Sequence, residues 1–299
     1  MREVFVHIGY PKTSTTYLQT NIFNNFNKSK IDFVNECKIL TENILQKDVN
    51  FIDIKNIHEE LKLDKRNKLL ISHEGLIGNV YFGGLNYFSN AVKLKKIFGE
   101  NLKIIISIRK QDELLHSIYK YYIFCGGTDN FKRFVRPKLN FQSVTNHFDI
   151  NSLKFYELIT MYEEIFKREN IHVFLYEEFK NNKNKVISEI CKFLQVEAPN
   201  IENEKIVNSS IKSGLFIFTF RFINKFLIGM GKNSSLINSY GLYLRVILRK
   251  IDNILFFLPK FKTDFNIVRN RKEVYSSNLK LQKYLKKDLG KYNYPLSDK

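Results

Sequence analysis

Cysteine is scarce and unpatterned. Cys37, Cys125 and Cys191 are odd in number, far apart and outside any CxxC spacing. That excludes a disulfide framework and predicts reduced, mostly buried thiols in a cytosolic setting. The six histidines show no metal-ligand spacing, so no metal is expected. Five prolines and thirteen glycines in 299 residues are too few for a collagen-like or linker-rich chain. No apolar run approaches the ~20 residues that a membrane span needs. A strand that starts near Glu3 leaves no room for a signal peptide or N-terminal anchor.

What is present is a core and an excess of positive charge. Hydrophobic residues make up 44% of the chain, ample for burial. Lysine and arginine total 48 against 30 acids, a net charge of +18. From Lys205 to Lys299 there are 19 basic and 5 acidic residues, so +14 of that excess lies in the last third. Such a balance points to an anionic partner without choosing among nucleotide, acidic glycan and membrane.

Short β-branched runs read as buried parallel strands: "EVFVHIG", "KLLISH", "KIIISIR" and "IHVFLY", with a weaker "IDFVNE" at 31–36. Helical stretches are expected at 15–27, 111–124, 152–169 and 183–194. The alternation predicts a three-layer α/β fold around a central parallel sheet. Beyond residue 195 the pattern is helical, at 214–228, 236–258 and 275–288. We expect one domain over 1–299, with 1–200 the α/β core and 201–299 a basic helical extension packed on it. The stretch 125–143 is glycine-containing and basic, as a mobile loop over a site would be.

Ligands of such sheets bind at the carboxyl ends of the strands. The first run ends in "GYPKTSTTYL", where Lys12 and the hydroxyls of Thr13, Ser14, Thr15 and Thr16 meet a helix N-terminus, a place suited to phosphate. It lacks the glycines of a Walker loop, and an ordinary turn with Thr15 as N-cap fits the same residues. The third run ends at Arg109, with Ser117 two turns into the next helix. The two would suit a second phosphate, although Arg109 paired with Asp112 or Glu113 is the plainer outcome. At the second run His73 and Glu74 emerge together, and either could act as a general base or simply face solvent.

Taken together these segments resemble the sulfotransferase family. "PKTSTTYLQ" is similar to its 5′-phosphosulfate loop, "SIRKQDELLHSIY" to its 3′-phosphate motif, and "ISHEGLIGNVYF" to the segment bearing its base. "VFLYEEFKNNKNKVISEICKFLQV" and "YSSNLKLQKYLKKDLGKYNYP" resemble later segments of the family, the second of them in bacterial members. Ser14 stands where the family usually has glycine, and Gln111 and Leu114 replace a common proline and arginine.

The resemblance implies transfer of a sulfonate from 3′-phosphoadenylyl sulfate to a hydroxyl or amine, leaving adenosine 3′,5′-bisphosphate, with no metal. It assigns Lys12 to the leaving phosphate, residues 13–16 to the 5′-phosphate, and Arg109 and Ser117 to the 3′-phosphate. Glu74 followed by Tyr81 and Phe82 matches glycan-modifying relatives, whereas His73 matches small-molecule relatives; Glu74 is favoured, and with it a carbohydrate acceptor. A P-loop kinase and a non-enzymatic binder of acidic polymer or membrane are the competing readings.

Residues 211–262 hold nine basic residues and one acid, Asp252. Arg221 with Lys225, and Arg245 with Arg249, are set four apart on helical faces. They suggest either a solvated stripe or peripheral contact with an anionic membrane face. A cytoplasmic protein, peripheral at the inner membrane at most, and no nucleic-acid partner are expected.

Overall fold

The computed structural model describes residues 2–65, 67–80, 84–135, 148–201, 204–205, 214–229 and 271–297. Five strands form the sheet: β1 Val4–His7, β2 Ile31–Asn35, β3 Lys68–Ser72, β4 Lys103–Ile108 and β5 Ile171–Leu175. All pairings are parallel and the order is β2-β3-β1-β4-β5. Each strand is one of the runs expected from sequence, including the weak one at 31–36.

Alternate side chains of the strands go to opposite faces, which makes the three layers. Val4, Val6, Ile8, Leu69, Ile71, Ile104, Ile106 and Ile108 enter the larger core. Phe5, Leu70, Ile105 and Phe174 enter the smaller one, against Leu18, Ile22 and Phe23 and the helix Lys183–Leu194.

The helices that matter for the site are α1 Thr15–Tyr17, α2 Tyr87–Phe98, α3 Gln111–Phe124, α4 Phe155–Phe166, α5 Gly214–Gly229 and α6 Lys272–Leu285. The expected helix at 15–27 is irregular. After Tyr17 it widens over Leu18–Ile22, then tightens over Phe23–Asn25. Residues 111–124 are helical as expected. The stretch 152–169 yields a shorter helix, because a tight turn capped by Asp149 precedes it and Lys167, at φ 66°, ends it.

Helix α6 packs on α4, and its Val274 and Leu281, with Leu289 and Tyr294 beyond it, belong to the larger core. Helix α5 packs on α3, with Asn224 Nδ2 donating to the carbonyls of Ile123 and Gly127 at 2.7 and 2.8 Å. Within 125–143, Phe131–Phe134 is helical and Phe134 is buried. The expected helix at 236–258, Arg245, Arg249, Tyr81 and Phe82 lie outside the described residues. Among the described residues no helix is long and apolar enough to cross a membrane. Cys37 and Cys191 are buried and Cys125 is exposed; all three are free.

Candidate active site

The strand order makes β3, β1 and β4 neighbours, so the segments after them share one end of the sheet. After β1 the chain approaches β4 closely: Tyr10 N–H donates to the Ser107 carbonyl at 3.1 Å. A Cβ on Gly9 would lie 1.9 Å from Ser107 Oγ, so only glycine lets the loop leave the sheet there. Thr13 is fully buried. Its hydroxyl lies 2.5 Å from the Tyr10 carbonyl and 2.6 Å from Ser107 Oγ, so the side chain stitches the loop to β4.

Lys12 and Ser14 both adopt left-handed backbone, at φ 68° and 69°. The loop therefore keeps the conformation glycine favours even with serine at position 14, a cost of about 1–2 kcal/mol per residue. Thr15 is buried and donates its hydroxyl to Glu74 Oε1, whereas Thr16 is exposed. The N–H groups of this first helical turn have no intrahelical partner.

Lys12, Thr16 and Glu74 line one cavity of about 510 Å³, whose wall includes Leu45, Val80 and Tyr121. Lys12 Nζ lies 4.0 Å from the centre of the Tyr121 ring, a cation–π contact. Burial pushes the Glu74 carboxyl up to about 7; the Lys12 ammonium opposes that rise and Glu36 adds to it. His73 does not line this cavity. Its Nδ1 accepts the Gly75 N–H at 3.0 Å, capping the turn Glu74–Ile77. Burial lowers its pKa, with Glu36 pulling the other way.

Arg109 closes the other side of the loop. Its Nη1 donates to the Lys12 carbonyl at 3.0 Å and its Nη2 to Glu113 Oε2 at 3.0 Å, while its face stacks 4.4 Å from the Tyr176 ring centre. Pairing with Glu113, one of the two partners that the sequence offers, is thus present. Arg109 Nε is buried without a partner. Ser117 is half-buried on α3 and has no hydrogen-bond partner among the described residues. An orphaned guanidinium N–H, a lysine and an open helix N-terminus beside each other fit an anion with more than one phosphate.

Three residues here escape a reading by motif. Tyr121 could have been found, since it follows Ser117 by one helical turn. Glu36 and Tyr176 could not, because each reaches the site from another strand end. Gln111 is fully buried and forms a reciprocal amide pair with Asn278 of α6, at 2.5 and 3.2 Å, and Leu114 is buried in the core. Among the described residues no group of three or more His, Cys, Asp or Glu could hold a metal ion.

The sequence pattern of the sulfotransferase domain family matches residues 2–215. No curated protein matches the sequence. Among solved structures the chain is similar to a sulfotransferase from Alicyclobacillus acidocaldarius, at 17% identity over 69% of this chain and 87% of that one, with a TM-score of 0.49. It is also similar to a mouse sulfotransferase solved with PAP, at 18% identity over 97% of this chain and 87% of that one, with a TM-score of 0.43.

Proposed function

The chain belongs to the sulfotransferase domain family, and on that premise we propose that it transfers a sulfonate from 3′-phosphoadenylyl sulfate to a hydroxyl or amine of an acceptor of the carbohydrate class. The observation that supports this best is the cavity shared by Lys12, Thr16 and Glu74 at neighbouring strand ends.

The donor supplies a sulfonate already joined to a phosphate that departs as a stable anion. In this reading Lys12 answers the charge that builds on the leaving phosphate oxygen. The N–H groups of Ser14, Thr15 and Thr16 and the hydroxyls of Ser14 and Thr16 hold the 5′-phosphate; Thr13 and Thr15 contribute their backbone only, since both side chains are turned inward, that of Thr15 onto Glu74. Arg109, through its unpaired Nε, and Ser117 hold the 3′-phosphate. Glu74 takes the acceptor's proton as the acceptor atom bonds to sulfur. The bond from sulfur to the phosphate oxygen breaks in line, its electron pair leaving on the phosphate. A carboxyl near 7 is basic enough for this work and still ionised in part at neutral pH. His73 is the weaker candidate, because its Nδ1 is committed to Gly75.

Thermal shift tests the donor assignment. Adenosine 3′,5′-bisphosphate is expected to stabilise the protein, and ATP with magnesium to leave it unchanged. Lys12→Ala should lower turnover by roughly 10²–10³, as loss of a transition-state charge stabiliser does. Stabilisation by ATP–magnesium alone, with a rate abolished by EDTA and restored by magnesium, would favour a kinase.

A further inference from the structure

The segment that follows the first loop is bonded twice to the end of β3. Thr15 donates its hydroxyl to Glu74 Oε1. Gln19, four residues on, donates from Nε2 to Ser72 Oγ at 3.0 Å. Ser72 ends β3 and is fully buried, with its hydroxyl 2.8 Å from Nδ1 of His7, the last residue of β1. Burial lowers the pKa of His7 to about 3, so its ring is neutral and brings no charge to this network. The Gln19 contact thus fixes the strand end two residues before Glu74, and the Thr15 contact fixes the carboxyl itself.

Thr15 and Thr16 face different ways. Thr15 is 2% exposed and is absent from the cavity wall, whereas Thr16 is exposed and lines it. A threonine hydroxyl carries one proton, and that of Thr15 goes to Glu74. The other titratable groups that face Glu74 are Lys12 from the loop after β1, Glu36 from the end of β2 and Tyr121 from α3, with His73 adjoining it in the chain. Lys12 favours the Glu74 carboxylate and Glu36 opposes it. Both act as charges, which set no orientation; a hydrogen bond to one named oxygen does.

We propose that Thr15 is the positioning residue of the base: its hydroxyl anchors Glu74 Oε1 and so turns Oε2 to the acceptor. The donor's 5′-phosphate is left to the neighbouring N–H groups and to the hydroxyls of Ser14 and Thr16. One turn of chain then serves both substrates, its backbone the donor and its Thr15 side chain the base. This rests on reading Glu74 as the base, and it adds the group that holds it.

The test is a titration of the Glu74 carboxyl, followed by carbon NMR in glutamate-labelled protein and assigned with Glu74→Gln. A hydrogen bond to the charged form favours that form. Thr15→Val, which replaces the hydroxyl with a methyl, should raise the midpoint by about one to two pH units. Thr15→Ser, which keeps the hydroxyl, should return it to the wild-type position. In calorimetry both variants should bind adenosine 3′,5′-bisphosphate as the wild type does. An unchanged midpoint in Thr15→Val overturns the proposal. So does a large loss of bisphosphate affinity in that variant, which would put the hydroxyl on the 5′-phosphate instead. If the valine variant does not fold, Thr15→Ala removes the same hydroxyl and is read by the same two outcomes. Failure of the wild type to bind the bisphosphate strikes the donor assignment, while the NMR titration, run without ligand, still reads the bond from Thr15.

Discussion

Glu74 shares its cavity with Lys12, and its raised proton affinity has consequences for both rate and stability. In the proposed role of general base it must be ionised, so turnover should rise as pH passes through about 7. Glu74→Gln should abolish that limb and most transfer, with bisphosphate affinity kept. For stability the sign is the reverse of the usual carboxylate case. The folded protein binds this proton more tightly than the unfolded chain, whose value is 4.5. The contribution is complete below that value and is lost as pH rises through about 7. Glu74→Gln should therefore stabilise the protein at pH 8 relative to pH 5, by on the order of 1–3 kcal/mol in urea titrations. Identical pH dependence in the two proteins would remove the shift.

Tyr121 acts at the same scale. A cation–π contact of this kind is worth about 0.5–2 kcal/mol, so Tyr121→Leu should lower kcat by roughly 2–30-fold through misplacement of Lys12. Tyr121→Phe, which keeps the ring, should restore most of it. Equal losses in both variants would tie Tyr121 to its hydroxyl instead.

At the scale of elements, α3 carries one stripe of candidate site residues. Glu113, Ser117 and Tyr121 recur every four residues and so lie along one helical face. Glu113 holds Arg109, and Tyr121 meets Lys12. Burial opposes the Glu113 charge, but its bonds to Lys110 and Arg109 outweigh that and hold its carboxyl below the usual range. Arg109 is thus presented already ionically paired. Arg109→Ala should weaken adenosine 3′,5′-bisphosphate binding more than binding of 5′-AMP, by about 1.5–3 kcal/mol, the worth of a charge-assisted hydrogen bond. Equal weakening of both ligands in calorimetry would limit Arg109 to bracing the Lys12 carbonyl.

Across the whole molecule α6 is tied to the start of α3. Gln111 at the start of α3 and Asn278 in α6 are 167 residues apart and bond to each other in a buried position, where Asn278 also donates to the Pro295 carbonyl at 2.8 Å. Asn278→Leu leaves the Gln111 amide underbonded, and should cost about 1–3 kcal/mol in denaturant titrations. No loss would mean the pair is replaceable by water. The excess charge acts over the same scale. On α5, Phe218 and Phe222 are 66% and 67% exposed and Lys225 is exposed, while Arg221 Nε donates to the Thr128 carbonyl at 3.3 Å. With +18 overall, the protein is expected to co-sediment with anionic vesicles at 0.1 M salt and release at 1 M, as the Debye length falls from ~10 to ~3 Å. Absence of binding at low salt would leave those side chains as a solvated face.

The sequence by itself determined the local elements. Each strand is a short run rich in Val, Ile, Leu or Phe, and residues 111–124 and 183–194 carry their helical period within themselves. The loop over residues 11–17, proposed to hold the 5′-phosphate, was legible as a strand-to-helix turn for the same reason: its residues are consecutive. What only the tertiary structure decided is which strand ends meet, because the order β2-β3-β1-β4-β5 depends on pairings between segments far apart in the chain. That order brings Glu36 beside Glu74 and Tyr176 under Arg109. It also gives two sequence neighbours different surroundings. His73 and Glu74 adjoin in sequence, but a capping bond from Gly75 occupies one while a shared cavity takes the other. Periodicity records how each segment meets the core; proximity across the sheet is a property of the whole packed chain.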